Sequence, residues 1–351
     1  FGHEHNPGTK GSDVTARGLP VAEQTLADRM KAGGYVTGLV GKWHLGMTEA
    51  LHPQSRGFDE FFGFLHGGHG YFPVEGRRAA RNPILRGRER LEEQAYLTDA
   101  FGREAVDFVT RHHEAPFFLT LSFNAVHTPL QAGPEDEARF ADVEEANRRT
   151  YLAMQWAMDR AIGDVLDALE RHGLMDETLI VLLGDNGGPT RKTTSSNLPL
   201  RGFKGTMYEG GIRVPFLLRW DCRVPGGQVV DHPVSALDLM PTALAAAGLA
   251  VPEGDVLDGV NLLPLLTGAT QEAPHQALFW RMGRSWAVRF GDWKYVVDGR
   301  SGEAGLYDLA SDIGEARNLA EQNADVVRGM RALFLAWEES TVEPLWTRNR
   351  R

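Results

Sequence analysis

The stretch that decides the fold is Thr178-Leu179-Ile180-Val181-Leu182-Leu183-Gly184-Asp185-Asn186-Gly187-Gly188. Its apolar run predicts a β-strand buried on both faces, as in a parallel sheet covered by helices. In open α/β sheets ligands lie beyond the carboxyl ends of the strands, so Asp185 and Asn186 are well placed to offer oxygen ligands to a hard cation. Taken alone, the pair is also compatible with an Asx turn that closes the strand.

The same pattern, an apolar strand followed by polar residues, occurs twice more along the chain. Residues 35–40 are followed by Lys42 and His44, and residues 116–123 are followed by His127. Apolar residues at helical spacing precede or separate these strands, over residues 21–32, 97–111 and 144–172. This alternation predicts an α/β fold with a doubly wound, mostly parallel sheet between helices, to which a strand at 214–220 returns.

Three details of these polar segments bear on a site. Lys42 and His44 are two residues apart, so on an extended segment they would face the same side while Trp43 packs behind them. Many glycines surround Lys204, which predicts a tight loop that holds its ammonium close to a ligand. Residues 57–64 are too aromatic for a solvated loop, and we expect them to fold under the rim of the site and deliver the segment 66–69.

The pattern changes after about residue 270. Short strands separated by turns predict a small antiparallel sheet over residues 277–281, 286–290, 293–297 and 306–309, and a helix over 324–339 would cover it. A further helix is predicted at 236–247. We therefore predict an α/β catalytic domain over residues 1–270 and a C-terminal subdomain over 271–351.

Composition limits the function classes. The chain has 351 residues, of which 42% are apolar, so it can bury a large core. The formal net charge of -10 argues against a general nucleic-acid binder, and no apolar run is long enough to cross a bilayer. Six arginines between residues 77 and 90 are either solvated loop charge or a basic rim that meets an anionic substrate.

Six segments, in consecutive order, resemble the type I sulfatases, the formylglycine-dependent, arylsulfatase-like branch of the alkaline phosphatase superfamily. The resemblance covers nearly the whole chain and implies hydrolysis of an aryl or carbohydrate sulfate ester. The segments are Gly41-Lys42-Trp43-His44-Leu45-Gly46, Gly57-Phe58-Asp59-Glu60-Phe61, Ala125-Val126-His127-Thr128-Pro129, Gly184-Asp185-Asn186-Gly187-Gly188, the Lys204 loop with Glu209-Gly210-Gly211, and Gly291-Asp292-Trp293-Lys294 with Leu306-Tyr307-Asp308-Leu309.

The resemblance also implies roles for individual residues. Asp185 and Asn186 look like calcium ligands, and Lys42 and Lys204 look like cations that contact the sulfate oxygens. His44 would lie beside the nucleophile, and His127 looks like the acid that protonates the leaving alcohol. These roles agree with sulfuryl transfer, which concentrates negative charge on the non-bridging oxygens and on the departing oxygen.

The nucleophile is where the chain departs from the family. Sulfatases carry an Asp-Asp metal pair and a Cys-x-Pro-Ser-Arg signature whose cysteine becomes formylglycine. The one cysteine here is Cys222, in Cys222-Arg223-Val224-Pro225-Gly226, which does not match and excludes an intrachain disulfide. We therefore expect that an N-terminal portion is missing, that this chain alone is inactive, and that a missing segment or a second chain fills a gap in the sheet beside residues 179–183.

Two other functions remain open from the sequence. One is a phosphodiesterase or phosphonate hydrolase of the same superfamily, although two-metal phosphatases need more His and Asp ligands than are found here. The other is a non-catalytic protein that keeps the anion pocket without the chemistry. The identity of the sulfated substrate, the oligomeric state and the cellular compartment are not indicated by the sequence.

Overall fold

The computed structural model describes residues 18–73 and 82–342. The segment 1–8 and the arginines 77, 78 and 81 therefore lie outside the described residues. The chain forms two compact units. The first unit holds the described residues up to Thr178 together with Lys192–Thr194, and the second holds Leu179–Arg191 and the described residues from Ser195 onward.

The first unit is built on a five-stranded mixed sheet. Its strands are β1 (Val36–Lys42), β2 (Glu60–Phe64), β3 (Ile84–Arg86), β4 (Glu89–Leu91) and β5 (Phe117–Ser122). They lie in the order β4-β3-β2-β1-β5, and β1 is parallel to both β2 and β5. The other two pairings, β2 with β3 and β3 with β4, are antiparallel. The predicted parallel sheet is thus confirmed for three of its strands, β2, β1 and β5.

Four α-helices belong to this unit: α1 (Leu26–Ala32), α2 (Leu97–His112), α3 (Pro134–Ala138) and α4 (Ala146–Arg171). Helix α1 begins later than the predicted residue 21 because Thr25 and Asp28 form a capping box. Helices α2 and α4 follow their predicted ranges closely and pack on each other. At Gly102 a Cβ would lie 2.8 Å from that of Ala161, so this contact requires the small residue.

Two expectations for the first unit were wrong. The aromatic segment 57–64 does not fold under a rim, because most of it is strand β2, paired with β1 over Gly38 to Lys42. Its aromatic side chains explain the error, since Phe61, Phe62 and Phe64 are buried in the two cores on either side of the sheet. The strand predicted at 116–123 is present as β5, but it is half-buried and stands at the edge of the sheet that the described strands form.

The second unit contains a strand pair and a four-stranded sheet. Strands β6 (Ile180–Leu183) and β7 (Phe216–Arg219) pair antiparallel, and β8 (Ala277–Met282), β9 (Ser285–Phe290), β10 (Trp293–Val297) and β11 (Ala304–Asp308) form an antiparallel sheet in the order β11-β10-β9-β8. Along the rest of the described chain the α-helices are α5 (Thr190–Thr193), α6 (Glu209–Ile212), α7 (Leu239–Ala246), α8 (Leu263–Leu266) and α9 (Ala324–Ser340).

Strand β6 differs from its prediction. Among the described strands it pairs with β7 alone, in antiparallel sense, and Leu182 is 45% exposed. An apolar run specifies that a strand forms but not which neighbour it takes, so both the parallel pairing and the burial on two faces were wrong. A further segment that pairs with β6 stays a prediction, and so does the domain boundary near residue 270.

The C-terminal antiparallel sheet and its covering helix are confirmed. Helix α9 packs its aromatic residues on strands β8 and β9, with the rings of Phe334 and Trp286 stacked at 4.0 Å and those of Trp337 and Phe279 at 5.2 Å. Each of these contacts contributes apolar burial together with favourable ring geometry. None of the helices in the described residues is long and apolar enough to span a membrane.

Two glycines in the first unit give opposite predictions for stability. At Gly38, in β1, a Cβ would lie 2.5 Å from the Phe108 ring, whereas at Gly163, in α4, it would meet nothing within 4 Å. We expect Gly38→Ala to cost about 1–3 kcal/mol through overpacking. Gly163→Ala should stabilise by up to about 1 kcal/mol through helix propensity. Urea unfolding followed by circular dichroism measures both, and equal effects of the two substitutions would contradict this packing.

Candidate active site

Lys42 and His44 stand at the carboxyl end of β1. Lys42 is the last residue of the strand, and Trp43 turns into the core, where its indole N–H donates to the Leu51 carbonyl at 2.9 Å. His44 has a φ of 59°, in the left-handed region. The alternation of an extended strand therefore ends before His44, and the argument that spacing alone aligns Lys42 with His44 does not hold.

The imidazole of His44 lies against the glycines of the segment His66-Gly67-Gly68-His69. A Cβ at Gly67 would lie 2.5 Å from both Cε1 and Nε2 of His44, so only glycine allows this approach. A Cβ at Gly68 would lie 3.9 Å from the imidazole of His127, at ordinary contact distance. The structure thus brings His44 and His127 to adjacent residues of one glycine pair.

His127 follows β5 and is held in a defined orientation. Its Nδ1 lies 2.8 Å from the Thr128 carbonyl oxygen, which can only accept, so Nδ1 carries a proton and Nε2 is left to exchange one. The buried hydroxyl of Tyr71 shares its one proton between the carbonyl oxygens of Asn124 and His127, at 2.7 and 2.9 Å. Burial raises the pKa of Tyr71, so the phenol remains a neutral donor to this turn.

In the second unit, Asp185, Asn186 and Lys204 lie on two loops that are tied together. Asn197 accepts from the Gly188 N–H at 3.0 Å and donates to the carbonyls of Gly188 and Gly202 at 3.0 and 3.2 Å. The same Gly188 carbonyl accepts from the Lys204 N–H. The loop that bears the predicted metal ligands and the loop that bears the predicted sulfate contact are therefore linked through one asparagine.

A close backbone approach fixes these loops as well. The Gly187 N–H donates to the Gly211 carbonyl at 3.1 Å, and a Cβ at Gly187 would lie 1.8 Å from the Gly210 carbonyl oxygen. No side chain fits there. Gly187 is required by this contact, whereas Gly210 and Gly211 are required by other close approaches, to the Arg201 carbonyl oxygen at 2.6 Å and to the Thr206 carbonyl oxygen at 2.2 Å.

A buried ionic cluster supports the Lys204 loop. The Lys294 ammonium, from β10, lies 2.7 Å from a Glu209 carboxylate oxygen and 2.9 Å from a Glu315 carboxylate oxygen. The other oxygen of Glu315 accepts from the Glu209 N–H at 2.7 Å. All three side chains are buried, and burial raises the pKa of Glu315 despite the attraction of Lys294.

The calcium site implied by the resemblance can be tested against the side chains present. Asp185 is exposed, and Asn186 donates its amide N–H to the Gly187 carbonyl, which leaves both residues with free oxygen donors. Oxygen atoms suit calcium, but the ion takes about six to eight of them. Within residues 18–73 and 82–342 no group of three His, Cys, Asp or Glu side chains could hold a metal. These two residues fit part of a calcium shell.

The sequence predicts six site residues, whose roles stay predictions, but it does not indicate the residues that hold them in place. Tyr71, Asn197 and Glu315 carry no motif, and their roles depend on partners 53 to 106 residues away along the chain or on a loop closed by one side chain. Glu209 and Lys294 were within recognised segments, and their spacing gave no sign that they meet. The one available signal for their pairing was that an acidic residue and a basic residue lie inside apolar strand and helix patterns.

The glycine pair generates a prediction on His44. Gly67→Ala should displace the imidazole of His44, because the new methyl group would overlap it, whereas Gly68→Ala should leave both histidines in place. Ring proton and carbon NMR signals measure this, with His44 assigned through a His44→Asn variant. Signals of His44 that stay unchanged in Gly67→Ala would contradict the contact.

The ionic cluster generates a prediction on stability. Lys294→Met leaves two buried carboxylates without their cation and should cost about 3–5 kcal/mol at pH 8. Glu315→Gln keeps the Lys294–Glu209 pair and should cost less. Urea unfolding of both variants at two pH values provides the test.

The cost of Lys294→Met should fall at pH 5. Loss of the ammonium raises the folded pKa of Glu315 further above its unfolded value, so the folded state gains a proton and stability decreases as pH rises through this range. A penalty that is equal at pH 5 and pH 8, or as large for Glu315→Gln, would contradict the proposed charge balance.

Comparison with known proteins places these motifs in a family. A sequence model described as Sulfatase matches residues 1–249, and one described as N-sulphoglucosamine sulphohydrolase, C-terminal, matches residues 203–335. The chain is 34% identical to the N-acetylgalactosamine-6-sulfatase of Homo sapiens over 309 residues, which cover 77% of this chain and 56% of that protein. It is 28% identical to an uncharacterized sulfatase, YdeN, of Escherichia coli strain K12 over 393 residues, which cover 93% of this chain and 68% of that protein.

Solved structures agree with this assignment. The crystal structure of Ps i-CgsB in complex with k-i-k-neocarrahexaose matches with a TM-score of 0.92 and 36% identity, over 98% of this chain and 80% of that one. A protein in complex with D-glucosamine-2-N,6-O-disulfate matches with a TM-score of 0.73 at 20% identity, which shows the fold alone. On the ordered motifs, the fold and the family match together, the chain belongs to the type I, arylsulfatase-like sulfatases of the alkaline phosphatase superfamily.

Proposed function

We propose that the protein containing this chain hydrolyses sulfate esters of saccharides. The observation that carries this proposal is the placement of His44 and His127 against the adjacent glycines 67 and 68, at the carboxyl ends of β1 and β5. Two imidazoles at the ends of neighbouring strands provide a nucleophile partner and a proton donor, which are the two proton-handling roles that ester cleavage needs. Family membership supports sulfate as the transferred group.

The lysines supply the charge stabilisation. Lys42 and Lys204 are half-buried at the ends of their segments, where an ammonium is less screened than on an open surface. Lys204 has no carboxylate partner in the part of the chain that the structure describes, so its charge is available to an anionic ligand. We assign both lysines to the non-bridging oxygens of the sulfate, which gain negative charge as the ester bond breaks.

His127 is the proposed acid. Its Nδ1–H is held by the Thr128 carbonyl, so Nε2 is the atom that would deliver a proton to the departing alcohol oxygen. His44 is assigned to the side of the nucleophile, where its imidazole would accept a proton. The fixed orientation of His127 reduces the reorganisation needed during proton transfer.

Two parts of the proposed chemistry come from outside the described site. Calcium, when bound, would stabilise charge on a sulfate oxygen, and Asp185 and Asn186 are the residues here that would contribute to holding it. The formylglycine nucleophile has no counterpart in this sequence, because Cys222 is exposed in a segment that does not match the signature. We therefore expect no turnover from this chain by itself.

Saccharide sulfates are the proposed substrate class on the basis of the relatives. The structure with the higher similarity was solved with a neocarrahexaose, and the human relative is named for a sulfated amino sugar. Because the protein carries a negative net charge, most of its surface repels anionic ligands. A locally basic pocket would therefore be the place where such a ligand binds.

The role of His127 is tested by varying the leaving group in the full-length gene product. We expect His127→Ala to lower kcat by about 10²–10⁴-fold for a saccharide sulfate, whose alkoxide must be protonated as it leaves. The loss should be far smaller for 4-nitrophenyl sulfate, because nitrophenolate leaves without a proton. His113→Ala, at the end of α2, is the control and should change neither rate.

The same assay decides between the reaction classes. Equal losses for the two sulfates would exclude His127 as the acid. Faster hydrolysis of bis(4-nitrophenyl) phosphate than of 4-nitrophenyl sulfate would favour the phosphodiesterase alternative, and no hydrolysis of either by the full-length product would favour the non-catalytic one.

A further inference from the structure

The segment that carries His44 rests on the buried residue Leu51 at two points. The indole N–H of Trp43 donates to the Leu51 carbonyl at 2.9 Å. A Cβ at Gly46 would lie 2.6 Å from Cβ of Leu51, so only glycine allows this second approach. His44 lies between the two contacts, and Leu51 therefore fixes the backbone on both sides of it.

Leu51 is held by two short 3₁₀ turns that meet at His52. The first turn covers Glu49–Leu51, and the second covers Pro53–Ser55. The backbone N–H of His52 donates to the carbonyl of the first residue of the first turn at 3.3 Å. The backbone carbonyl of His52 accepts from the N–H of the last residue of the second turn at 2.8 Å. His52 is thus the residue through which the two turns are joined.

The side chain of His52 adds a hydrogen bond that only one charge state can make. Its Nδ1 accepts from the Gln54 N–H at 3.2 Å and so caps the second turn. Because Nδ1 is an acceptor here, the one ring proton of the neutral imidazole is on Nε2. Both nitrogens of an imidazolium carry protons, so protonation of His52 removes the acceptor and sets two N–H groups against each other.

The surroundings of the His52 ring also disfavour its charged form. The residue is 5% exposed, and its ring packs edge-to-face with that of Phe61 in β2, with the centroids 5.3 Å apart. Burial lowers the pKa of His52, and the nearby Arg88 guanidinium lowers it further. Glu49 and the Gly87 backbone act in the opposite direction, but Glu49 is paired with Arg88 at 2.5 Å. Among the described residues, these are the charged groups that face the imidazole.

We propose that His52 is a positioning residue for His44: its neutral imidazole holds the turns that support Trp43, and its imidazolium releases them. The effect is transmitted through Leu51, whose carbonyl holds the Trp43 indole next to His44 in the chain. The consequence for catalysis rests on the proposed function, whereas the coupling of His52 to Trp43 rests on the contacts given above.

The lowered pKa of His52 sets the sign of the pH dependence. When the turns are open, His52 titrates near its ordinary pKa of about 6.5. As the pH falls below this value, the open form takes up a proton before the closed form does. The closed form is therefore favoured at neutral pH and loses stability as the pH falls toward its own, lower pKa. Because one proton is involved, the opening equilibrium changes by at most about tenfold per pH unit.

The first test measures hydrogen exchange of the Trp43 indole and of the Gln54 amide in this chain by NMR, corrected for the intrinsic effect of pH. Between pH 7.5 and pH 5.5 we expect the protection of both groups to fall together by about threefold or more. The backbone amides of β1 should keep their protection, because they are held by the ladders to β2 and β5. A Trp43→Phe variant assigns the indole signal among those of the eight tryptophans.

A variant pair separates His52 from the other histidines. His52→Asn removes the titration and keeps a side-chain oxygen that can cap the turn, so its Trp43 protection should change by less than about twofold between the two pH values. His113→Asn, at the end of α2, is the matched control and should keep the full pH dependence. The measurement on the unmodified chain decides by itself if His52→Asn does not fold.

The pH profile of the full-length gene product adds a readout that a purely structural role would not move. We use 4-nitrophenyl sulfate, whose leaving group needs no proton, so that His127 does not determine the profile. At pH 5.5, His52→Asn should retain at least about threefold more of its own pH 7.5 kcat/KM than the unmodified enzyme does. His113→Asn should follow the unmodified profile.

Any of four results would overturn the inference: Trp43 protection that does not change with pH, a pH dependence that survives in His52→Asn, an equal loss of protection throughout β1, or an unshifted activity profile in His52→Asn. Equal loss throughout β1 would indicate destabilisation of the whole unit. A full-length product without sulfatase activity would refute the proposed function and leave the coupling of His52 to Trp43 standing. If sulfate esters are cleaved but the coupling is absent, the proposed function stands and this inference fails.

Discussion

The second unit depends on one buried cation. The ammonium of Lys294 is enclosed by the carboxylates of Glu209 and Glu315, and all three groups are removed from water. Such a cluster is costly to form, because the desolvation of three charges is repaid only if each keeps its partners. Lys294 belongs to a strand of the C-terminal sheet, and Glu209 begins helix α6, which follows the Lys204 loop. The loop is therefore fixed to the sheet by a contact that tolerates little displacement.

Close backbone approach is the second constraint, and it operates in both units. Gly67 admits the imidazole of His44, and Gly187 admits the carbonyl of Gly210, at distances that no side chain would allow. Geometry requires these glycines: each stands where a loop that bears a predicted site residue touches another segment. Gly38 plays the same part in the core, where the ring of Phe108 occupies the space above the strand.

The sequence predicted the parts of the fold that depend on local pattern. Helices α2, α4 and α9 and strands β8 to β10 lie close to their predicted ranges, because their apolar periodicity is long or their turns are clear. The sequence did not predict which strands pair with each other. Strand β6 pairs with β7 in the opposite sense to the prediction, and most of the aromatic segment 57–64, expected to fold under the rim of the site, is strand β2. A run of apolar residues does not specify its neighbour.

The candidate site likewise combines residues that motifs predict with residues that only the folded chain reveals. Motifs predict Lys42, His44, His127, Asp185, Asn186 and Lys204 as site residues, since chemistry restricts the residue types at those positions. The residues that orient them, such as Tyr71 and Asn197, act through backbone carbonyls and amides, which any of several side chains could reach. Their roles follow from the folded chain and could not be inferred from residue type.

In the second unit, the buried Lys294 is paired with carboxylates, whereas several half-buried or exposed cations are not. Lys294 is buried, and each of its contacts is a carboxylate, so its charge is fully used to hold the structure. Lys204, Arg284 and Arg331 are half-buried or exposed and have no such partner among the described residues. A charge that supports the fold is compensated within the fold, because burial makes an unpaired ion costly. Exposed cations such as Arg284 and Arg331 stay solvated, so the fold can leave them without a carboxylate at little cost.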